Sequence, residues 1–155
     1  MFSKLLLAFD GTREGREALR EATELAVQLR ASVHLLSVIH LTPGELMAES
    51  ALPGGIFDIE EAEMRQVLDE GVEALRRAGL TADGTLSRGP NPAQDIAHFA
   101  HRIGADLIVI GHREQGLLAR LWSGSVGQQL IAHAPCSVLI AVTPSAASRR
   151  ASAAA

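Results

Sequence analysis

Short apolar runs alternate along this chain with longer stretches in which apolar residues return at helical spacing. "KLLLAF" (4–9) is apolar after its first residue, the pattern of a strand buried on both faces. "TREGREALREATELAVQLR" (12–30) sets Ala18, Leu19, Ala22, Leu25, Ala26 and Leu29 on one stripe, which predicts an amphipathic helix. "SVHLLSVIH" (32–40) is β-branched and apolar and predicts a second strand. Residues 41–57 hold Pro43, Gly44, Pro53, Gly54 and Gly55 and read as one long loop. Loops beyond about 12–15 residues often act as lids or binding loops.

An amphipathic helix follows over 58–80, with Gly79 as its stop signal. "TADGTLSRG" (81–89) is a weaker strand whose polar residues suggest a sheet edge. In "NPAQDIAHFAHRIG" (91–104), Asn91 is the N-cap, Pro92 the first helical residue and Gly104 the end. "ADLIVI" (105–110) is the most strand-like run, a helix capped by Ser125 continues to His133, and "CSVLIAV" (136–142) is the last strand. The order β-α-β-loop-α-β-α-β-α-β predicts a three-layer α/β fold, with a parallel sheet, right-handed crossovers and helices on both faces. One domain over 1–143 and a low-complexity tail over 144–155 are expected.

At 155 residues and 47% hydrophobic composition the chain can bury a single core. A net charge of -4 leaves no basic surplus for nucleic acid, and 3% aromatics with no Tyr gives no base-stacking platform. Cys136 is the only cysteine, so neither an intrachain disulfide nor a Cys-rich zinc site is expected. Asp10 interrupts the N-terminal apolar run well before the length of a signal peptide core or a membrane span. A cytoplasmic protein without nucleic-acid or membrane partners is expected.

Open parallel sheets bind ligands beyond the carboxyl ends of their strands, where strand order reverses. The loops after 4–9, 32–40 and 105–110 are therefore the candidate sites. The first turn reads "FDGTREG", not the G-x-G-x-x-G of a dinucleotide fold. Gly111 and Gly116 have Walker spacing, but Leu117 stands where that loop needs lysine, and Lys4 is the only lysine in the chain. This also excludes two-component receivers. The hydroxyl-rich loop of flavodoxins and the G-x-S-x-G elbow are both missing.

"VIGHREQGLLARLWSGSVGQQLIAHAPCSVLIA" resembles the C-terminal half of a universal stress protein, whose loop here runs G-x-x-G-x9-G-[ST]. "LLLAFDGTREGREAL" and "RGPNPAQDIAHFAHRIGADLIVIG" resemble other stretches of that family, and the match runs through residues 3–143 in order. The resemblance implies a five-stranded sheet of order 3-2-1-4-5, of the adenine nucleotide alpha hydrolase-like kind. It implies a stress-response regulator that binds ATP or AMP, with Mg²⁺ as an accompanying ion, and is not an efficient enzyme; very slow ATP hydrolysis stays compatible with this. It also implies a homodimer through strand 136–142 and a protein client that the sequence does not identify. The alternative is a dimeric interaction module of the same family that binds no nucleotide. Ligases and pyrophosphatases of the wider superfamily use a Ser-Gly-Gly-rich loop after the first strand, and "DGTREG" is not one.

Gly111, Gly124 and Ser125 fall on the family motif, while Glu114 occupies its middle glycine. Gly124 would let backbone approach a phosphate, and the Ser125 and Val126 amides would open a helix whose N-terminus favours an anion. Arg113 and Arg120 could neutralise further phosphate charge, and the Ser125 hydroxyl could either cap the helix or donate to phosphate. Glu114 opposes this, because a carboxylate ~4 Å from a phosphate charge costs ~4 kcal/mol at an effective dielectric of 20. The resemblance gives Asp10 a role near metal and phosphates, through nucleotide-bound Mg²⁺; the other reading is a cap for the helix starting near Thr12. Ala8, Val38 and Ile110 match positions lining the adenine pocket, with plain core packing as the alternative.

Asp95, His98 and His101 recur every three residues, but the core stripe of their helix leaves the trio on the solvent side. His34 and His40 are read as structural. Arg149, Arg150 and Ser152 resemble a basophilic kinase site in the tail.

Overall fold

The computed structural model describes residues 1–51, 58–112 and 125–142. The elements are β1 (Lys4–Ala8), α1 (Arg13–Leu29), β2 (Ser32–His40), α2 (Pro43–Ala51), α3 (Asp58–Arg77), β3 (Ala82–Gly89), α4 (Pro92–Ile103), β4 (Leu107–His112), α5 (Ser125–His133) and β5 (Ser137–Val142). All five strands run parallel in the order β3-β2-β1-β4-β5. The expected three-layer architecture is therefore observed.

Alternate residues of the central strands feed two cores. Leu5, Leu7 and Phe9 face α1 and α3, meeting Ala22 and Ala26 of the first and Leu68 and Leu75 of the second. Leu6 and Ala8 face α4 and α5, meeting Ile96, Phe99 and Leu130. Leu5, Leu6 and Leu7 are wholly buried, which explains the unbroken apolar run at β1: a strand covered on both faces has no solvent side to mark with polar residues.

The segment 41–57, expected to be one loop, contains α2 instead. Thr42 Oγ1 and the Thr42 amide both donate to Glu45 Oε2, at 2.7 and 2.6 Å, and the Glu45 amide donates back to Thr42 Oγ1 at 3.3 Å. This is a reciprocal capping box, with Pro43 placed where a helix tolerates it. These bonds hold the Glu45 carboxyl below its ordinary value. Residues 52–57 and the tail 144–155 lie outside the described residues.

At the amino end of the sheet Asp106 locks β1 beside β4. It accepts from the Ser3 amide (2.7 Å), the Ser3 hydroxyl (2.8 Å) and the Lys4 amide (3.0 Å). Desolvation pushes the Asp106 carboxyl up, but these donors outweigh it and keep it low. With the amino end fixed, the carboxyl ends of β1 and β4 are held side by side.

Candidate functional site

The chain leaves β1 toward β2 and β3, then returns to place β4 on the other side of β1. The crevice beyond β1 and β4 is thus the switch point of the sheet, where ligands of such folds bind. Ala8 lies between Leu36 and Ile110 in the register. Its side chain and that of Ile110 are buried in the core under α4, with Val38 half-buried at the border of the same cluster. Ala8 and Ile110 therefore pack the core with their side chains and can offer a ligand only backbone. Gly111 is buried opposite Ala141.

Phe9 is held on both sides of its peptide. Its amide donates to the Leu36 carbonyl at 2.9 Å, and its carbonyl accepts from Ser37 Oγ at 2.7 Å. Ser37 is fully buried, the one buried polar side chain among the described residues. Its trace in the sequence is a lone hydroxyl inside "LLSVI", a signal that periodicity alone does not pick out.

Asp10 follows. Its Oδ1 accepts from the Thr12 amide at 3.0 Å and from Thr12 Oγ1 at 2.6 Å, and Thr12 caps α1 by accepting from the Gly15 amide at 3.1 Å. The helix cap is thus Thr12, and Asp10 braces it. No hydrogen bond among the described residues reaches Asp10 Oδ2. That oxygen fits the need of Mg²⁺, which commonly takes one carboxylate plus phosphate oxygens and water. Gly11 adopts φ +70°, and a Cβ there would lie 2.2 Å from Val67 Cγ1, so both conformation and the approach of α3 require glycine.

Ser125 and Val126 open α5, so a helix N-terminus does follow the motif. Arg113, Glu114, Arg120 and Gly124 lie outside the described residues. The helix α5 is tied to the start of α4, where Asn91 Nδ2 donates to Gln129 Oε1 at 2.9 Å. Asn91 also caps α4 by accepting from the Gln94 amide.

Asp95 corrects the expectation of a wholly solvated trio. His98 and His101 are exposed, but Asp95 is half-buried and its Oδ2 is enclosed without a partner, close to Gly89. Desolvation raises its carboxyl above the ordinary value, partly opposed by His98. Among the described residues no group of three or more His, Cys, Asp or Glu can hold a metal ion. His34 bonds Thr85 Oγ1 at 2.9 Å and packs on the Phe99 ring, as a structural histidine should; His40 is exposed. Burial raises the Cys136 thiol and so disfavours the thiolate. A cavity of about 460 Å³ lined by Ser3, Val27, Arg30 and Thr81 lies at the other end of the sheet. There the carbonyl ends of α1 and α3 point, which disfavours an anion.

A family model described as "Universal stress protein family" matches residues 1–142. The chain is 32% identical over 150 residues to universal stress protein YxiE of Bacillus subtilis, covering 90% of this chain and 99% of that one. A universal stress protein family structure from Burkholderia pseudomallei has 29% identity and a TM-score of 0.66, covering 90% of this chain and 95% of that chain. The universal stress protein of Archaeoglobus fulgidus in complex with dAMP shares the fold at 24% identity and a TM-score of 0.63, covering 90% and 97%. No helix among the described residues is long and apolar enough to cross a membrane. Sequence and fold agree, and the chain belongs to the universal stress protein family.

Proposed function

We propose that this protein is a cytoplasmic stress-response regulator that binds an adenine nucleotide, ATP or AMP, between the β1–α1 turn and the loop leading into α5, without efficient turnover. The observation that supports this reading is the switch point itself: β1 and β4 are parallel neighbours, Asp10 and Gly111 stand at their carboxyl ends, and α5 is the next described helix after β4. In it, Ala8, Val38, Ile110 and Gly111 border the base and sugar, Arg113, Gly124, Ser125 and Val126 hold phosphates, and Asp10 meets a nucleotide-bound Mg²⁺. The dAMP complex of a protein with this fold supports the choice of adenine. A homodimer through 136–142 and a protein client complete the proposal.

Turnover is slow because no lysine can stabilise a transferring phosphoryl group. Lys4 Nζ bonds the Ile103 carbonyl at 2.9 Å, at the amino end of β1. Steady-state hydrolysis near ~1 s⁻¹, the ordinary range of enzymes, contradicts the proposal.

Isothermal titration with ATP, ADP and AMP tests binding. At least one binds below millimolar; if none does, the family's interaction-module reading, favoured by Glu114 at the middle glycine of the motif, replaces this one. Because Glu114 repels added phosphate charge, AMP or ADP competes well with ATP, and Glu114→Gly raises ATP affinity selectively.

A further inference from the structure

We propose that Gly15 is a positioning residue for Asp10: by carrying no side chain in the first turn of α1, it leaves the room in which Thr12 holds the Asp10 carboxylate, with Oδ1 engaged and Oδ2 left for the cation that accompanies a nucleotide. This rests on the nucleotide reading above. Both roles of the Thr12 hydroxyl are assigned, since its hydrogen goes to Asp10 Oδ1 (2.6 Å) and its oxygen accepts from the Gly15 amide (3.1 Å). A Cβ on residue 15 would lie 2.5 Å from Asp10 Oδ1 and 3.3 Å from Thr12 Oγ1. The first distance is too short for any real contact. Something must move, and the obstructed atom is the tip of the Asp10 side chain rather than backbone.

Alanine at 15 therefore leaves the helix intact and turns the carboxylate off Thr12. By local helix chemistry alone glycine is the poorer residue there, by about 1 kcal/mol relative to alanine. Unlike Gly11, Gly15 has no positive φ to justify it. The space it leaves is occupied by Asp10, and the groups that orient a metal-binding side chain commonly contribute about 10–100-fold to metal affinity.

The test is titration of the full chain with ATP, once with Mg²⁺ and once with chelator. The variants are Gly15→Ala, Asp10→Asn, the double variant, and Thr12→Ala, which removes the hydroxyl bond without touching position 15. Wild type binds ATP more tightly with Mg²⁺. Gly15→Ala and Thr12→Ala each reduce that increment about tenfold, and Asp10→Asn abolishes it. The double variant is no worse than Asp10→Asn, because the two positions act through one group. Gly15→Ala melts close to the wild-type temperature, the helix gain offsetting the bonds lost between Asp10 and Thr12. An unchanged increment in Gly15→Ala, additive losses in the double variant, or a wild type indifferent to Mg²⁺ overturns the inference while leaving nucleotide binding standing. A wild type that binds no nucleotide in either buffer overturns both.

Discussion

β3 and β5 both stand at the border of the sheet, yet β3 reads "ADGTLSRG" and β5 "SVLIAV". Arg76 on α3 donates from Nε to the Ala82 carbonyl at 3.1 Å and pairs with Asp83 at 3.5 Å. Arg88, near the far end of β3, pairs with Glu61. Charges and a side-chain cap thus occupy β3 along its length, a common defence of a free edge. On β5, Leu139 is 40% exposed, and Ile131 of α5 is 60% exposed. An edge dressed in charge can stand alone in water, whereas an apolar one needs a cover. In the proposed homodimer, a second copy about a two-fold axis is the cover, and it closes without leaving another edge.

Breaking the apolar edge has the largest expected effect. Leu139→Lys acts twice in a symmetric pair and weakens it by about 3 kcal/mol, roughly a hundredfold in Kd. Sedimentation velocity at micromolar concentration then shows monomer. A wild type that is already monomeric at high micromolar concentration ends the dimer proposal.

Stripping the guarded edge is the converse experiment and a milder one. Arg76→Ala removes one capping bond and two exposed ion pairs, a loss of about 1 kcal/mol in urea unfolding. Combining it with Asp83→Val gives concentration-dependent association that wild type lacks if charge is what keeps β3 single.

The smallest effect is a pH dependence confined to the β3 side. Burial pushes the His34 imidazole below 6.5; Asp83 opposes this, while Lys4 and Arg102 add to it. An unfolded chain binds the proton first, so stability is complete above about 6.5 and falls as pH drops toward the lower folded value. His34→Gln flattens that slope between pH 7 and 5 relative to wild type, read by thermal melts across the range.

Much of this was legible because burial on two faces leaves a strong mark. The runs at 4–9 and 105–110 announce central strands, and "TADGTLSRG" announces a border. Pro43 and Gly44 read as breakers and hide helix α2, although "TPGE" spells a capping box with proline at the first helical position. Helical period alone puts Asp95 on the solvent side. Period gives the direction of a side chain but not what lies over the first turn, where Gly89 approaches from the end of β3. Asp10 could be named from its place after β1, but its bond to Thr12 and the space at Gly15 depend on distances no spacing encodes. The proposed phosphate contacts rest on the family motif alone, since Arg113, Glu114 and Gly124 fall outside the described residues.

The reversal of strand order also has a history in time. β1 pairs with β2 within the first forty residues or so, Leu5 beside Val33, but its other neighbour is β4, Leu5 beside Leu107. A chain emerging from the ribosome in order can assemble β1, β2 and β3 while the second side of β1 waits for residues made much later. Until then the leucines of β1 lie at an open border that neither charge nor cap protects. Closing it requires the longest-range pairing in the sheet, a slow kind of step. The proposed nucleotide crevice lies at the same seam, so it comes into existence only when the two parts of the chain have joined.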